Sequence, residues 1–580
     1  MKKRNVMQKL IAMGIGLSMV LSMAACGAEE AATEKSIETI ASTTASSEAA
    51  EQPTEDGELP MVSFYPSTAD TGSGVVGGNK GEVFAQYGFG VDVWAYSEEK
   101  TNAILASADL PDVMMVQADE LQVLIENNMI LNLEEYLPQM PNISEKDYLQ
   151  PALNYMREYN SNGTGQLWAL PSGVSADKTL EYDITKNMLT VNWEYFKSIG
   201  CPEIEDQWQL IDVMKQMLEA NPVGEDGTPN YGTCLNAGSD GTYWGNINLY
   251  LKWFGYEPKE LPYLLEADMI NAEYKSILNE DSKYHEGLKW YNTVYREGLM
   301  DPDSINIERS TQSTKINAGH AMVSSGTVQG YAKFQPVYMK NQQIYQESWS
   351  SPYGGKNYFV ISAKSENVDA ALKFLNTLAD VDAYMYTWVG LEGDLWTKDG
   401  DTLVLKEGLA EAYGNGEEVT FATGEKVDYW RHWIIDDASI YTSYKDANGE
   451  YRLPSLAKFS EVREVKFNND KQNEWRAWSG YDFYVDQVMA EGNYYLTSEL
   501  DNVSNFAPIA DDSLQLTLDT LKEVVVNASW QMVYAESEEE FNSIWTKMVE
   551  DCIELGAEQV ITDRIAALEE AKSLRDSLAN

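Results

Sequence analysis

Short apolar runs that alternate with helix-patterned segments constrain this sequence more than any other feature. Strand patterns are found at 61–65, 91–95, 112–116 and 359–362. Helix patterns are found at 103–107, 117–127, 208–220, 368–378 and 538–578, the last with a break at Gly556. Strands that alternate with helices favour a mostly parallel sheet covered by helices. The sequence therefore predicts an α/β fold.

The first 25 residues predict export across a membrane. Four basic residues lie in the first nine positions, and an uncharged, almost wholly apolar stretch follows at 10–25. This stretch is shorter than the roughly 20 residues that span a bilayer. A basic start, a short apolar core and small residues before a break are typical of a secretory signal peptide.

The break itself points to a lipid anchor. Cys26 follows Met-Ala-Ala at 23–25, which resembles the lipobox of bacterial lipoproteins. A diacylglyceryl unit on Cys26 would carry two acyl chains, such as palmitate. Two chains give stable membrane anchoring, whereas one chain gives only marginal binding. The alternative is a plain signal peptide whose cysteine stands there by chance. Residues 27–58 are mostly Ala, Glu, Thr and Ser and predict a disordered tether.

Charge and cysteine content exclude some classes of partner and site. The chain has a formal net charge of −50, which repels nucleic acid and anionic lipid. Besides Cys26 it has Cys201, Cys234 and Cys552, without a CxxC metal spacing. Cys201 and Cys234 either form one bridge or remain unpaired as small apolar residues. The sequence predicts neither a disulfide framework nor a cofactor or metal.

The aromatic residues are mostly those with a polar edge. The chain has 16 Trp and 35 Tyr against 14 Phe. Such rings suit a solvent-filled cleft, because each ring can stack on a ligand and also form a hydrogen bond with it. An ordinary mixture of core and surface rings is the alternative, and composition does not choose between them.

Several blocks together resemble a known family. The chain is similar to the large extracellular solute-binding proteins of bacterial ABC importers, the sugar-binding class that includes maltose-binding protein, in a long form found in Gram-positive bacteria. The matching blocks are 106–113 (ASADLPDV), 133–137 (LEEYL), 166–171 (QLWALP), 206–208 (DQW), 295–302 (YREGLMDP), 317–325 (NAGHAMVSS, taken as a strand before a ligand loop), 359–367 (FVISAKSEN), 370–378 and the closing helices at 534–563.

The resemblance implies a two-lobed, periplasmic-binding-protein-like α/β fold with a hinge between the lobes. Its implied organisation is a signal peptide (1–25), a lipidated cysteine and tether (26–58), the first lobe (59–174), the second lobe (175–355), a return to the first lobe (356–398), and an extension with closing helices (399–580). The middle of the extension departs most from the compact members of the family.

The resemblance also implies where a ligand is bound. Aromatic faces would pack on sugar rings, and planar polar side chains would set specificity. By position in the family, the expected ligand-binding residues are Tyr65, Asp70, Gln117, Asp119, Ser175, Tyr243, Trp244, Ser325, Trp388, Glu392, Trp478 and Tyr481, with Ser67 and Ser172 nearby. Core packing is the competing interpretation of Tyr243 and Trp244.

Catalytic patterns are not evident in the sequence. The three histidines, His285, His320 and His432, are far apart, and no HExxH, GxSxG or Walker A pattern occurs. His320 is expected to be packed in a strand-like run. Residues 445–450 resemble part of a calcium loop, but the ligand spacing fails, so a polar hairpin turn is the preferred interpretation.

Three hypotheses for function follow from these patterns. The first is a monomeric, lipid-anchored receptor that captures a mono- or oligosaccharide and delivers it to the permease subunits of an ABC importer. The second is a similar receptor for a peptide or another solute. The third is a surface lipoprotein that binds or hydrolyses glycans. The sequence favours the first, a binding protein and not an enzyme.

Overall fold

The computed structural model describes most of the chain after the predicted tether. It describes residues 59–578 except for 68–71, 175–187, 238–243, 325–332, 347–350, 356, 381, 384–385, 388–389, 400–401, 428–443, 446–450 and 453–459. No helix in this part of the chain is both long and apolar enough to cross a bilayer.

The strands are short and lie mostly between helices. They are β1 (Met61–Tyr65), β2 (Gly74–Val75), β3 (Gly90–Val93), β4 (Val113–Val116), β5 (Leu170–Pro171), β6 (Thr190–Asn192), β7 (Tyr256–Glu257), β8 (Leu265–Asp268), β9 (Glu273–Ser276), β10 (Val323–Ser324), β11 (Phe334–Pro336), β12 (Ile344–Tyr345), β13 (Tyr358–Ile361), β14 (Trp396–Asp399), β15 (Thr402–Leu405), β16 (Tyr444–Lys445), β17 (Tyr451–Arg452) and β18 (Tyr494–Tyr495).

The described α-helices are Gly78–Gln86, Glu98–Ser107, Ala118–Glu126, Pro141–Ser144, Gln150–Tyr159, Trp193–Ser198, Gln207–Ala220, Ile247–Trp253, Lys283–Arg296, Arg309–Ala318, Val368–Leu378, Leu409–Gly414, Ser460–Lys466, Asp470–Ser479, Tyr484–Ala490, Asp512–Val533, Glu538–Glu554 and Ala557–Leu578. Short 3-10 helices lie at Leu133–Gln139, Asp147–Leu149, Pro258–Tyr263 and Val503–Asn505. The predicted alternation of strands and helices is confirmed, as is the break at Gly556.

The first sheet has six strands in the order β2-β3-β1-β4-β13-β5. β1 is parallel to both β3 and β4, while β2 pairs antiparallel with β3, β13 with β4, and β5 with β13. The sheet is therefore mixed: β3, β1, β4 and β5 point the same way, and β2 and β13 run against the expected parallel direction. β13 belongs to a segment that re-enters the sheet long after β4, so a βαβ crossover does not fix its direction.

A smaller sheet has the order β10-β6-β11, with both pairings antiparallel. The predicted strand at 317–325 is mostly wrong, because the helix Arg309–Ala318 covers its start and Gly319 ends that helix at a φ of 90°. Glycine adopts this left-handed conformation without steric cost. Only Val323–Ser324 pairs as a strand.

Two large apolar cores account for most of the buried side chains. The first core packs around the six-stranded sheet and includes Val62, Phe64, Val91, Val113, Leu124, Leu153, Leu170, Phe359 and Leu375. The second core packs around the smaller sheet and includes Val191, Trp193, Leu210, Tyr250, Trp253, Trp290, Val323, Trp475, Val525 and Trp545. The lobe boundaries given by the sequence stay predictions.

A third, small core is formed by the first part of the extension and by two residues that precede it. Leu395, Trp396, Leu409, Tyr413, Phe421, Val427 and Val462 pack together there. The strand pairs β14–β15 and β16–β17 are both antiparallel. The second pair flanks the predicted hairpin turn, whose residues 446–450 lie outside the described part of the chain.

The final helix, Ala557–Leu578, contributes to both large cores. Its first turn places Ala557 and Val560 in the second core, and its later turns place Leu568 and Ala571 in the first. Between these two pairs lies Arg564, which is 8% exposed. The helix therefore packs against both cores and links them.

Candidate functional site

The order of strands in the first sheet identifies where a ligand site is expected. From β1 the chain passes to β3 on one side and then to β4 on the other side of β1. Loops that follow such neighbouring strands diverge and leave a crevice at the carboxyl ends of the strands. In open α/β sheets ligands bind in this crevice.

Three aromatic rings lie at the carboxyl ends of β1 and β3. Tyr65 ends β1 and is fully buried, while Trp94 and Tyr96 follow β3 and are half-buried. The rings of Tyr65 and Tyr96 have centroids 5.8 Å apart. The hydroxyl of Tyr65 contacts the carbonyl oxygen of Ser97 and Oγ1 of Thr101, each at 2.9 Å. Tyr65 is thus a fixed support, and the two half-buried rings retain exposed surface.

One cation stands beside these rings. Nζ of Lys100 lies 4.9 Å from the ring centroid of Trp94 and 5.5 Å from that of Tyr65. A cation at this distance is attracted by an aromatic face. The pKa of Tyr96 is raised, first by desolvation and then by the neighbouring Tyr65 and Glu120, so its hydroxyl stays neutral and can donate a hydrogen bond. We call Tyr65, Trp94, Tyr96 and Lys100 the aromatic cluster.

The loop after β4 borders the other side of the crevice. Gln117 is exposed, and its backbone N–H donates to Oε2 of Glu120 at 2.8 Å, which caps the helix Ala118–Glu126. Asp119 lies in the first turn of that helix. Ser67, after β1, has its hydroxyl 4.0 Å from Sδ of Met115. Of the polar residues predicted after β1 and β4, Ser67 and Gln117 are described, and both follow strands at this edge of the sheet.

Two crossing segments run side by side next to this edge. The backbone N–H of Ser172 donates to the carbonyl of Asn357 at 3.0 Å, and Gly355 donates back to the carbonyl of Ser172 at 2.6 Å. Gly354 has a φ of 85°, and a Cβ there would come within 2.6 Å of Pro171. This paired arrangement of short backbone segments is suited to a hinge, where a few residues absorb the change in dihedral angles.

Two polar residues, Thr190 and Ser324, pair at one end of the smaller sheet. Thr190 pairs with Ser324 on one side and with Pro336 on the other. Thr190 and Ser324 are buried, and Oγ1 of Thr190 has no hydrogen-bond partner among the described residues. Ser324 immediately precedes the predicted ligand loop.

Several predicted ligand-binding residues lie where the structure gives no description. Asp70, Ser175, Tyr243, Ser325 and Trp388 fall outside the described residues, as does His432, and so does Cys26. The side chain of Asp119 is likewise outside the described part. Their ligand contacts stay predictions.

The remaining predicted residues are distributed over different surroundings. Trp244 is 1% exposed and packs edge-on against Tyr291 and Trp530, with centroids 5.3 and 5.2 Å away. Trp478 is half-buried against Trp193, with centroids 5.6 Å apart. In this conformation Trp244 has no exposed ring face for a sugar, which matches the core-packing interpretation of that residue.

Tyr481 and Glu392 lie nearer the surface. Tyr481 is half-buried in the turn after the helix Asp470–Ser479, where its backbone N–H donates to Oγ of Ser479 at 3.2 Å. Glu392 is exposed in the loop before β14. Among the contacts given by the described residues, none joins Trp478, Tyr481 or Glu392 to the aromatic cluster.

The two described histidines are packed. His285 stacks on Trp545 with centroids 4.1 Å apart, and burial lowers its pKa. Nδ1 of His320 lies 3.1 Å from Oδ1 of Asn230, and its Nε2 lies 3.3 Å from Oδ2 of Asp226. His320 is thus packed as expected, although at the end of a helix and not in a strand.

Cysteines and acidic residues do not form a metal site in the described ranges. The three described cysteines are free thiols, and Sγ of Cys234 lies 3.4 Å from the buried carboxylate of Asp301. Burial, followed by the charge of Asp301, raises the pKa of Cys234. No group of three or more His, Cys, Asp or Glu side chains among the described residues is arranged to hold a metal ion.

Trp94, Tyr96 and Lys100 were not among the ligand-binding residues predicted from the sequence. Trp94 was included in the predicted strand 91–95, but the strand ends at Val93. The available signal was the position directly after a buried strand, where side chains face the ligand edge of an α/β sheet.

Comparison with known proteins identifies relatives by structure alone. No protein-family profile matches the sequence, and no curated protein sequence matches it significantly. An "HMO binding ABC-transporter associated Solute Binding Protein" from Bifidobacterium longum infantis is similar with a TM-score of 0.57 at 15% identity, over 89% of this chain and 99% of that chain. An extracellular solute-binding protein from Bifidobacterium longum subsp. infantis is similar with a TM-score of 0.54 at 16% identity, over 91% and 100%. The Streptococcus pneumoniae substrate-binding protein FusA, solved in complex with kestose, is similar with a TM-score of 0.55 at 13% identity, over 89% and 99%.

Proposed function

We propose that this chain, whose two-lobed α/β fold is that of the extracellular solute-binding proteins of ABC transporters, captures a carbohydrate between its lobes and delivers it to an ABC-type permease. The ligand is a mono- or oligosaccharide. Hinge closure at the paired crossing segments buries it, and the closed form docks on the permease subunits. The protein acts as a monomeric receptor and not as an enzyme.

The aromatic cluster at the crevice of the first sheet is the observation that supports this proposal. Trp94 and Tyr96 are half-buried, so each offers a ring surface while its position is fixed by packing. Sugar rings present apolar C–H faces that pack on such surfaces, and the polar edges of Trp and Tyr bond to hydroxyl groups. Gln117, exposed on the other side of the crevice, adds a neutral group that both donates and accepts.

A thermal-shift screen against saccharides tests this function. We expect one or more neutral glycans to raise the melting temperature, because a ligand at about 100 times its Kd stabilises the folded state by roughly 2.7 kcal/mol. Trp94→Ala should weaken that glycan's binding at least about tenfold, or ~1.4 kcal/mol. The measurement is the Kd from titration calorimetry.

Trp208→Ala is the matched control for this experiment. Trp208 is 41% exposed on the helix Gln207–Ala220 and takes no part in the cluster, so its removal should leave the Kd unchanged. The proposal fails if peptides shift the melting temperature and no saccharide does. Equal losses from both tryptophan variants would contradict the location of the site.

We further propose that the receptor is anchored on the extracellular face of the cell membrane by a lipid on Cys26. A Gram-positive cell has no outer membrane to retain a free receptor, so an acyl anchor with the tether 27–58 would hold it near its permease. The signal-peptide pattern and the Met-Ala-Ala-Cys break support this.

Replacing the anchoring cysteine should release the protein. In cells that express the full chain, Cys26→Ser is expected to move most of the protein from the membrane fraction to the medium, because both acyl chains are lost. Cys201→Ser changes a thiol elsewhere in the chain and should leave the protein in the membrane fraction. Immunoblots of the two fractions measure this, and a membrane-bound Cys26→Ser variant would disprove the anchor.

A further inference from the structure

A cavity of about 410 Å³ lies apart from the crevice of the first sheet. It is formed by β7 and the end of β8, the start of the helix Lys283–Arg296, the segment 340–343 and Asn493. Its volume is in the range of small-molecule sites, roughly 300–1,000 Å³. None of its lining residues lies at the carboxyl ends of β1, β3, β4 or β10.

The charged side chains that line this cavity are already paired. Nζ of Lys340 lies 2.7 Å from both Glu203 and Glu205. Nζ of Lys283 lies 2.9 Å from Oε2 of Glu286 and 4.5 Å from the ring centroid of Phe254. A charged ligand would have to compete with these partners.

The one acidic lining residue is also engaged within the chain. Oδ1 of Asp268 accepts hydrogen bonds from the backbone N–H groups of Ile270 and Asn271, at 3.0 and 2.9 Å. Its Oδ2 accepts from Nδ2 of Asn271 at 2.8 Å. These donors are neutral, so the carboxylate of Asp268 is hydrogen-bonded within the chain and keeps its negative charge.

Neutral carboxamides make up most of the remaining polar lining. They belong to Asn271, Asn341, Gln343 and Asn493. Asn341 and Asn493 donate through Nδ2 to Gln207 and to the hydroxyl of Tyr338, which leaves the oxygen of each amide as an acceptor. The backbone N–H of Gln343 donates to the carbonyl oxygen of Trp253 at 2.9 Å. The side chain of Gln343 takes no part in this bond. Carboxamides both donate and accept, as hydroxyl groups require.

An aromatic ring completes the lining. Tyr256 is half-buried, and its pKa is raised first by burial and then by the charges of Asp268 and Glu266. Its hydroxyl therefore stays neutral. A ring next to several amides offers the two kinds of contact that a sugar uses, an apolar face and hydrogen bonds.

We propose that this cavity is a second saccharide-binding site, which takes one or two rings of a neutral sugar. The paired lysines and the negative charge of Asp268 disfavour acidic ligands, and the amides together with Tyr256 match a neutral polyhydroxyl ligand. This site does not depend on the crevice. The proposal stands even if the crevice binds a solute that is not a sugar.

Saturation-transfer NMR with maltose, lactose and sucrose, at millimolar concentration, tests the site on the full chain. The Trp94→Ala background weakens the crevice, so that signals from the cavity remain. We expect saturation transfer to at least one of the three sugars in this background. Adding Gln343→Trp, which fills the cavity, should abolish it, whereas Gln515→Trp on the exposed face of the helix Asp512–Val533 should not.

Two results would overturn the second site. One is equal saturation transfer in the Gln343→Trp and Gln515→Trp variants, and the other is no transfer to any of the three sugars in the Trp94→Ala background. If Gln343→Trp does not fold, Gln343→Ala replaces it and should reduce the transfer several-fold. Failure of the crevice function is distinguishable, since it is measured by the effect of Trp94→Ala on the Kd and not by the signals that depend on Gln343.

Discussion

Arg564→Met is expected to lower the free energy of unfolding by about 3–5 kcal/mol, because it leaves a buried carboxylate without its partner. Arg564 forms a bidentate ion pair with Glu260, at 2.7 and 3.0 Å. Both side chains are buried, at 8% and 1% exposure. Chemical denaturation followed by tryptophan fluorescence measures the loss.

The surroundings of this pair explain the expected size of the effect. The guanidinium also donates to the carbonyl of Pro508 at 2.9 Å and lies 3.9 Å from the ring centroid of Tyr263. Charge-assisted, bidentate bonds with a stacked ring hold the group in one geometry. Because Arg564 lies where the final helix passes from the second core to the first, its loss should also weaken the coupling between the cores.

Two controls separate a buried charge from a general effect of substitution. Lys547→Met removes an exposed ion pair with Asp551, one turn apart on the helix Glu538–Glu554, and should cost no more than about 0.5 kcal/mol. The double change Glu260→Leu with Arg564→Met should recover much of the lost stability, since no charge is left unpaired. A single Arg564→Met variant as stable as Lys547→Met would refute the assignment.

Local pattern was enough to predict most of the secondary structure. The strand 61–65 and the helix 368–378 have the bounds expected from apolar spacing. The direction of β13 was not predictable in this way, because it depends on a segment that returns to the sheet from far along the chain. Arg564 and Glu260 are separated by 304 residues, and no local signal pairs them.

The candidate site was less predictable than the fold, for a physical reason. Whether an aromatic ring packs in a core or faces a ligand depends on distant neighbours. Trp244 is enclosed by Tyr291 and Trp530, whereas Trp94 keeps part of its surface exposed. Trp94 lay in a predicted strand and Trp244 was an expected ligand-binding residue, and only the tertiary arrangement reverses these two expectations.

Asp112→Ala is expected to destabilise the first core by about 1–3 kcal/mol, since partly buried donors lose a charged acceptor. Oδ2 of Asp112 accepts from the backbone N–H and the hydroxyl of Ser63, at 2.9 and 2.7 Å. Its Oδ1 accepts from the hydroxyl of Ser365 at 2.6 Å. One carboxylate thus joins β1, the start of β4 and the turn after β13. The midpoint of thermal or urea unfolding measures the effect.

The same motif contains a matched control for this variant. Asp109 is exposed three residues earlier in the ASADLPDV block, and Asp109→Ala should change stability by less than about 0.5 kcal/mol. Equal effects of the two substitutions would contradict the structural role of Asp112. The saccharide Kd of Asp112→Ala, measured where the variant is still folded, should match that of the wild type.

The role of Asp112 explains why the ASADLPDV block indicates the fold but not the ligand. Asp112 is 8% exposed, and its carboxylate oxygens are occupied by bonds within the sheet and its turns. Such a residue stabilises this part of the fold without contacting a ligand. The ligand has to be determined from the residues at the crevice, beginning with Trp94 and Tyr96.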